Sequence, residues 1–176
     1  LGVVAGQLIP RLDTGPSLID PSDVTYSRGA VTTDLILDQL DNVNFPRQGW
    51  GANVSLYHSN TEMGADAGYT KWLASGSVVH SFGENTVRCN AKAGGKIGSD
   101  PLPAYDQIQW GGFLQQSGYA TGQLVGASVQ FGQMMYYRRI VRGGLFDGAY
   151  GGLSLEVGNY TKPLVIEDLL RSMGFA

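Results

Sequence analysis

Apolar and polar side chains alternate along most of this chain with a period of two, in runs of roughly ten residues broken by Gly, Asn, Asp and Pro. In 28–38, Val31, Thr33, Leu35 and Leu37 form one face and Arg28, Asp34 and Asp38 the other. In 50–59, Trp50, Ala52, Val54 and Leu56 oppose Gly51, Asn53, Ser55 and Ser59. In 69–82, Trp72, Ala74, Val78 and Phe82 oppose Lys71, Ser75, Ser77 and Ser81. Stretch 86–97 sets Val87, Cys89, Ala91, Ala93 and Ile97 against Arg88, Asn90, Lys92 and Lys96. In 124–138, Val125, Ala127, Val129, Phe131 and Met135 oppose Gly126, Ser128, Gln130 and Gly132. Finally, 149–158 sets Ala149, Leu153, Leu155 and Val157 against Ser154, Glu156 and Gly158, and a weaker run covers 2–9. Strands of this length suit a tilted crossing of a bilayer, which needs ~9–11 residues.

No apolar face in these stretches carries Asp, Glu, Lys or Arg. A cation facing lipid at mid-depth costs ~2–4 kcal/mol, so its absence fits a membrane barrel. A soluble sandwich also alternates, with its apolar face turned inward. Two details favour the membrane. The polar faces are rich in Ser, Asn and Gly rather than the Lys and Glu of a solvated sheet. The aromatics Trp50, Tyr57, Trp72, Phe82, Tyr136 and Tyr137 fall towards strand ends, as in interfacial girdles. Gly83-Glu84-Asn85 predicts a tight turn, while 10–25 and 98–123 are long, proline-bearing connections. Segment 41–49 fits a turn on the short, periplasmic side, which places 61–68 and 98–123 outside.

Composition sharpens the picture. Charged residues make up 15% of the chain and 26 of 176 residues are glycine; ordinary usage would be about 25% charged and about 7% glycine. Mean hydropathy is −0.08. A net charge of −3 gives no basic surface for nucleic acid. The single cysteine, Cys89, excludes an internal disulfide and the usual zinc clusters. No run approaches the ~18 apolar residues of a spanning helix. LGVVAGQLIP does not read as a signal peptide, so an export signal is expected outside these residues.

At DNVNFPRQGW (41–50) the sequence stops being generic. Asp41 and Asn42 favour a turn, Pro46 presets φ, and Gly49 releases the chain into a strand at Trp50. This junction, GGFLQQSGY (111–119) in a long loop, and LSLEVGNY (153–160) occur in order. Together they resemble the bacterial surface antigen superfamily, which includes outer-membrane assembly barrels, two-partner secretion transporters and patatin-like autotransporters. The resemblance implies that 111–119 is the family's inward-folded loop, whose tip usually reads Val-Arg-Gly-Phe/Tyr, and that 153–160 is its Phe-x-Asp-x-Gly strand. It also implies that Gly112, Phe113, Ser117, Gly118, Tyr119, Glu156 and Arg138 form the loop's anchor in the lumen.

The chain departs from the family pattern at three places. Ser117 stands for the loop arginine, Glu156 for the aspartate, and a glutamate of the following strand is replaced near Tyr136. Arg138, expected on the lumen face, is a candidate substitute for the missing arginine. Gly-Gly-Phe-Leu-x-x-Ser-Gly-Tyr with Tyr-Tyr-Arg-Arg at 136–139 looks most like the patatin-like autotransporter branch.

Other chemistry weighs less. His58 and His80 could serve a hydrolase or a metal, but both fall near strand ends on the apolar side, where an interfacial role suffices. Gly126-Ala127-Ser128-Val129-Gln130 lacks the second glycine of a nucleophile elbow, and Gly94-Gly95-Lys96 lacks the spacing of a phosphate loop. Arg28, Lys71, Arg88, Lys92 and Lys96 share the polar faces and are expected to balance Asp34, Asp38 and Glu156; the other reading is an anion-attracting interior. Cys89 reads as a small packing residue.

The expectation is therefore an all-β chain: one domain over 1–176, a partial antiparallel transmembrane barrel of about 7–8 meander strands with a long inward-folded loop. LLRSMGFA (169–176) resembles the start of a further strand. The family barrel has 16 strands, so the remainder of the barrel or other copies of the chain should complete it. No catalytic residue, cofactor or metal is expected in this segment. It should sit in the bacterial outer membrane, in contact with the bilayer and lipopolysaccharide, and anchor or translocate an attached patatin-like lipase domain, with a periplasmic linking domain as a further partner. An outer-membrane assembly barrel is the alternative, and a soluble β-sandwich or lipocalin-like binding module the third reading.

Overall fold

The computed structural model of the chain describes residues 1–8, 25–42, 45–141 and 149–161. The expected further strand at 169–176 and most of the 10–25 connection lie outside those residues. Among the described residues nine strands follow in order: β1 (Gly2–Leu8), β2 (Tyr26–Asp38), β3 (Gln48–Ser59), β4 (Tyr69–Phe82), β5 (Asn85–Ile97), β6 (Ile108–Trp110), β7 (Leu124–Gly126), β8 (Ser128–Val141) and β9 (Ala149–Thr161). Seven of them form an antiparallel meander, β1-β2-β3-β4-β5-β8-β9, while β6 and β7 pair as a separate small hairpin. The architecture is that of an open, partial antiparallel barrel.

Register fixes which side chains share a face. Opposed residues in the rungs Gly51–Ser77–Asn90–Gln133–Glu156 and, one step along, Ala52–Gly76–Ala91–Gly132–Val157 define two surfaces. The first is polar and covered by segment 98–127; we call it the inner face. The second is bare, exposing Leu35, Val54, Leu56, Val78, Met134, Leu153, Leu155 and Val157 to the surroundings, with Leu155 at 63% exposure. A bare apolar surface running the width of the sheet is far larger than a water-soluble monomer tolerates. Among the described residues no second sheet covers it.

Two kinds of connection separate to opposite rims. On one, Gly83 at φ 63° makes the tight turn from β4 to β5. Beside it, Asp41 Oδ1 accepts the amides of Arg47 (2.8 Å) and Gln48 (3.1 Å), and Asn42 Oδ1 accepts that of Phe45 (3.1 Å). These two amides, Arg47 first, hold the Asp41 carboxyl below the usual aspartate range. Gly49 is required here: at φ 116° a Cβ would lie 2.0 Å from the Gln39 carbonyl oxygen. The rim is clasped by Phe45 stacked on Tyr150 (4.7 Å), by Arg139 Nε against Glu84 (2.7 Å) and by the Tyr137 hydroxyl donating to the Pro46 carbonyl (2.5 Å).

On the opposite rim, a 3₁₀ turn at Thr61–Met63 joins β3 to β4, and the long segment after β5 folds back over the inner face. Its β6–β7 hairpin brings Ile108, Trp110 and Leu124, with Leu102, against Tyr69, Val129 and Phe131, and these seven make the core. Trp110 and Phe131 lie 4.9 Å apart between ring centroids. Each fully buried apolar side chain of this size contributes ~1.5–3 kcal/mol.

This core overturns one sequence expectation. The stretch 124–138 is not one strand: it breaks at Ala127, and in β8 the faces are reversed. Val129 (2% exposed), Phe131 and Met135 turn inward with Gln133, while Ser128, Gln130, Gly132 and Met134 turn outward. Alternation records burial from water, and here the loop, not lipid, covers the greasy side. Tyr57 and Tyr137, expected in an outer girdle, also point inward, Tyr57 stacking on Tyr69 at 5.8 Å. Val54, Ala91 and Leu155 keep the bare face assigned to them.

Candidate functional site: the loop folded on the inner face

The tip of the long loop, GGFLQQSGY, descends onto β8 and β9. Gly111 and Gly112, at φ 111° and 116°, let its two limbs approach closely; a Cβ on Gly112 would meet Thr121 Oγ1 at 2.8 Å. Leu114 and Gln116 take positive φ (58° and 73°), conformations that cost non-glycine residues about 1–2 kcal/mol each. Hydrogen bonds offset that cost. Ser117 donates its backbone N–H to Glu156 Oε2 (2.7 Å) and its hydroxyl to Oε1 (3.1 Å), while accepting the Leu114 amide (3.0 Å). Gln133 Nε2 donates to both Glu156 Oε1 (3.0 Å) and the Leu114 carbonyl (3.1 Å). Asn90 Nδ2 then donates to Gln133 Oε1 (2.5 Å), and Arg88 Nε to Asn90 Oδ1 (3.0 Å). One polar chain thus runs from the loop tip through β9 and β8 to β5. Gly158 leaves room for it: a Cβ there would stand 2.4 Å from Gln116 Oε1.

Of the anchor residues read from the sequence, the structure brings together Ser117 and Glu156, and Gly112 shapes the loop above them. Phe113 is 84% exposed, and Gly118 and Tyr119 also lie open. Arg138 needs correction: it opposes Asn85 and Gly151 on the outer face, exposed, because β8 is one residue out of the expected phase. The β8 partner of Glu156 is Gln133.

A second tether was missed altogether. Asp106, in the 3₁₀ turn Ala104–Asp106, accepts from Arg28 Nη2 through Oδ1 (3.2 Å) and from Lys71 Nζ (2.7 Å) and the Tyr69 hydroxyl through Oδ2. The neighbouring Tyr105 packs on Tyr26 (4.4 Å), and burial first, then the charges of Asp66 and Asp106, raises its phenol above the usual value. Arg28 and Lys71 therefore pair with a loop carboxylate, not with Asp34, Asp38 or Glu156. Asp34 instead accepts from Ser55 Oγ, and Asp38 from the Leu40 amide (3.0 Å). An isolated Asp in a proline-bearing loop carries no periodic signal, and its partners lie 35 to 78 residues away.

His58 and His80 both lie exposed on the bare face, His58 bonded to Thr70 Oγ1 at 2.8 Å. Among the described residues no three His, Cys, Asp or Glu converge as metal ligands.

An open meander with a greasy outer face, a polar inner face and a long loop bonded inside it through a serine–glutamate pair is a specific combination. None of the curated proteins matches the chain. The Omp85 superfamily domain, by contrast, matches residues 16–154. By that match the chain belongs to the Omp85 superfamily, whose bacterial members are outer-membrane proteins and whose domain is a barrel of the assembly and translocation kind.

Proposed function

We propose that this chain is a membrane-spanning wall that anchors or translocates an attached patatin-like lipase domain at the bacterial outer membrane. The reading is carried by the loop tip: serine stands in the place of the arginine usual at this position, and its bonds to Glu156 still seat the loop on the inner face. The Gly-Gly-Phe-Leu-x-x-Ser-Gly-Tyr form and Tyr-Tyr-Arg-Arg at 136–139 support the patatin-like branch by resemblance. In this reading the bare face contacts lipid and lipopolysaccharide, the clasped short turns lie on the periplasmic rim, and further strands or other copies of the chain close the barrel. The wall performs no chemistry; its work is to span, and to hold the loop within.

A cell carrying the full-length gene tests this. Outer-membrane fractions should hydrolyse phospholipid, and deleting the barrel should leave that activity in the periplasm. Absence of lipolysis, with loss of other outer-membrane barrels on depletion, would replace this reading by the assembly one. That second reading draws on β1 and β9, each paired on one side only among the described residues, so that both could template an incoming strand.

A further inference from the structure

Under the β6 end of the loop lies a cavity of about 420 Å³, lined by three cations, Arg28, Lys71 and Lys92, and by one carboxylate, Asp106. The carboxylate is already occupied: Oδ1 takes Arg28, and Oδ2 takes both Lys71 and Tyr69. Lys92 has no carboxylate within ion-pair reach among the described residues, and its Nζ rests over the Trp110 ring at 4.4 Å. Two of its lining residues also carry a buried donor without an acceptor, Arg28 at Nε and Trp110 at its indole N–H. Positive charge in the lining thus exceeds negative by two. Such an excess is met by a compact acceptor with negative charge, since charge-assisted bonds to oxyanions are about twice as strong as neutral ones.

We propose that this cavity is a binding site for a phosphate-type oxyanion, held by the Lys92 ammonium and the Arg28 guanidinium. The site stands whatever domain is attached to the barrel. Phosphate could come from solution or from a lipid headgroup, and the two are separable. The full-length protein, folded in a zwitterionic detergent at low salt, is titrated calorimetrically with inorganic phosphate and, separately, with glycerol phosphate as the headgroup fragment. Saturable one-site binding of either is expected, weakened at least tenfold in Lys92→Met and in Arg28→Met. It should be unchanged in Lys96→Met, whose ammonium already donates to the Ser99 carbonyl (2.9 Å). Tighter binding of glycerol phosphate assigns the lipid source, and tighter binding of phosphate the solution source. Lys92→Met removes no ion pair, so its fold should match wild type by circular dichroism. No saturable heat with either probe, or equal weakening in all three variants, overturns the proposal.

Discussion

Ser117 meets Glu156 through two bonds of different origin, and they do not fail together. Ser117→Ala removes the hydroxyl but keeps the backbone amide at 2.7 Å, so it should cost only about 1 kcal/mol. Glu156→Ala removes the shared acceptor of Ser117 and Gln133, and bonds to a charged group are worth ~1.5–3 kcal/mol. Hydrogen exchange at 113–119 should accelerate by roughly tenfold to a hundredfold in Glu156→Ala and by much less in Ser117→Ala. Equal acceleration in both would show that the hydroxyl's bonds, not the backbone amide's, hold the tip. At the other rim the same logic has a pH sign. Asp41 is held below its unfolded value by the Arg47 and Gln48 amides, so its contribution is full above the unfolded value and disappears as pH falls through the depressed one. Amides 47 and 48 should lose exchange protection only in that acid range, and Asp41→Asn should remove the pH dependence.

Among the elements, β8 is the one whose orientation the sequence could not reveal. Its rung Cys89–Met134–Leu155 faces outward and the next, Asn90–Gln133–Glu156, inward. Arg introduced at Met134 or Leu155 should therefore slow or block folding into liposomes by ~2–4 kcal/mol, whereas Arg at Ser154 should be tolerated. Equal tolerance would reverse the faces. For β2 to β5 and β9, alternation placed both faces as they stand, because there the apolar side is bare and the polar side faces the interior. In β8 the apolar residues lie under Trp110 and Leu124 instead. A period-two pattern reports which side avoids water, and says nothing of whether lipid or protein does the covering. Of the candidate site, Glu156 was legible because it interrupts a neutral strand. Gln133 was not, since an uncharged amide in a strand of mixed polarity carries no such contrast, and Asp106 was not, since its partners belong to other strands.

At the scale of the whole molecule, the two outermost strands matter most. β1 and β9 each present one unpaired edge among the described residues, and buried in hydrocarbon an unsatisfied backbone group costs several kcal/mol. A polypeptide of these 176 residues refolded alone into lipid should therefore assemble into higher species, visible on unheated gels and by edge-to-edge crosslinking of cysteines placed in β1 and β9. A stable inserted monomer would contradict this.

The same sheet is also crossed from within. The loop is fastened at Asp106 to β2 and β4, and at Ser117 and Leu114 to β9 and β8. It lies across the arc like a bowstring tied near both tips of the bow. Cutting either knot should therefore free one half of the loop while the other stays tied to its own pair of strands.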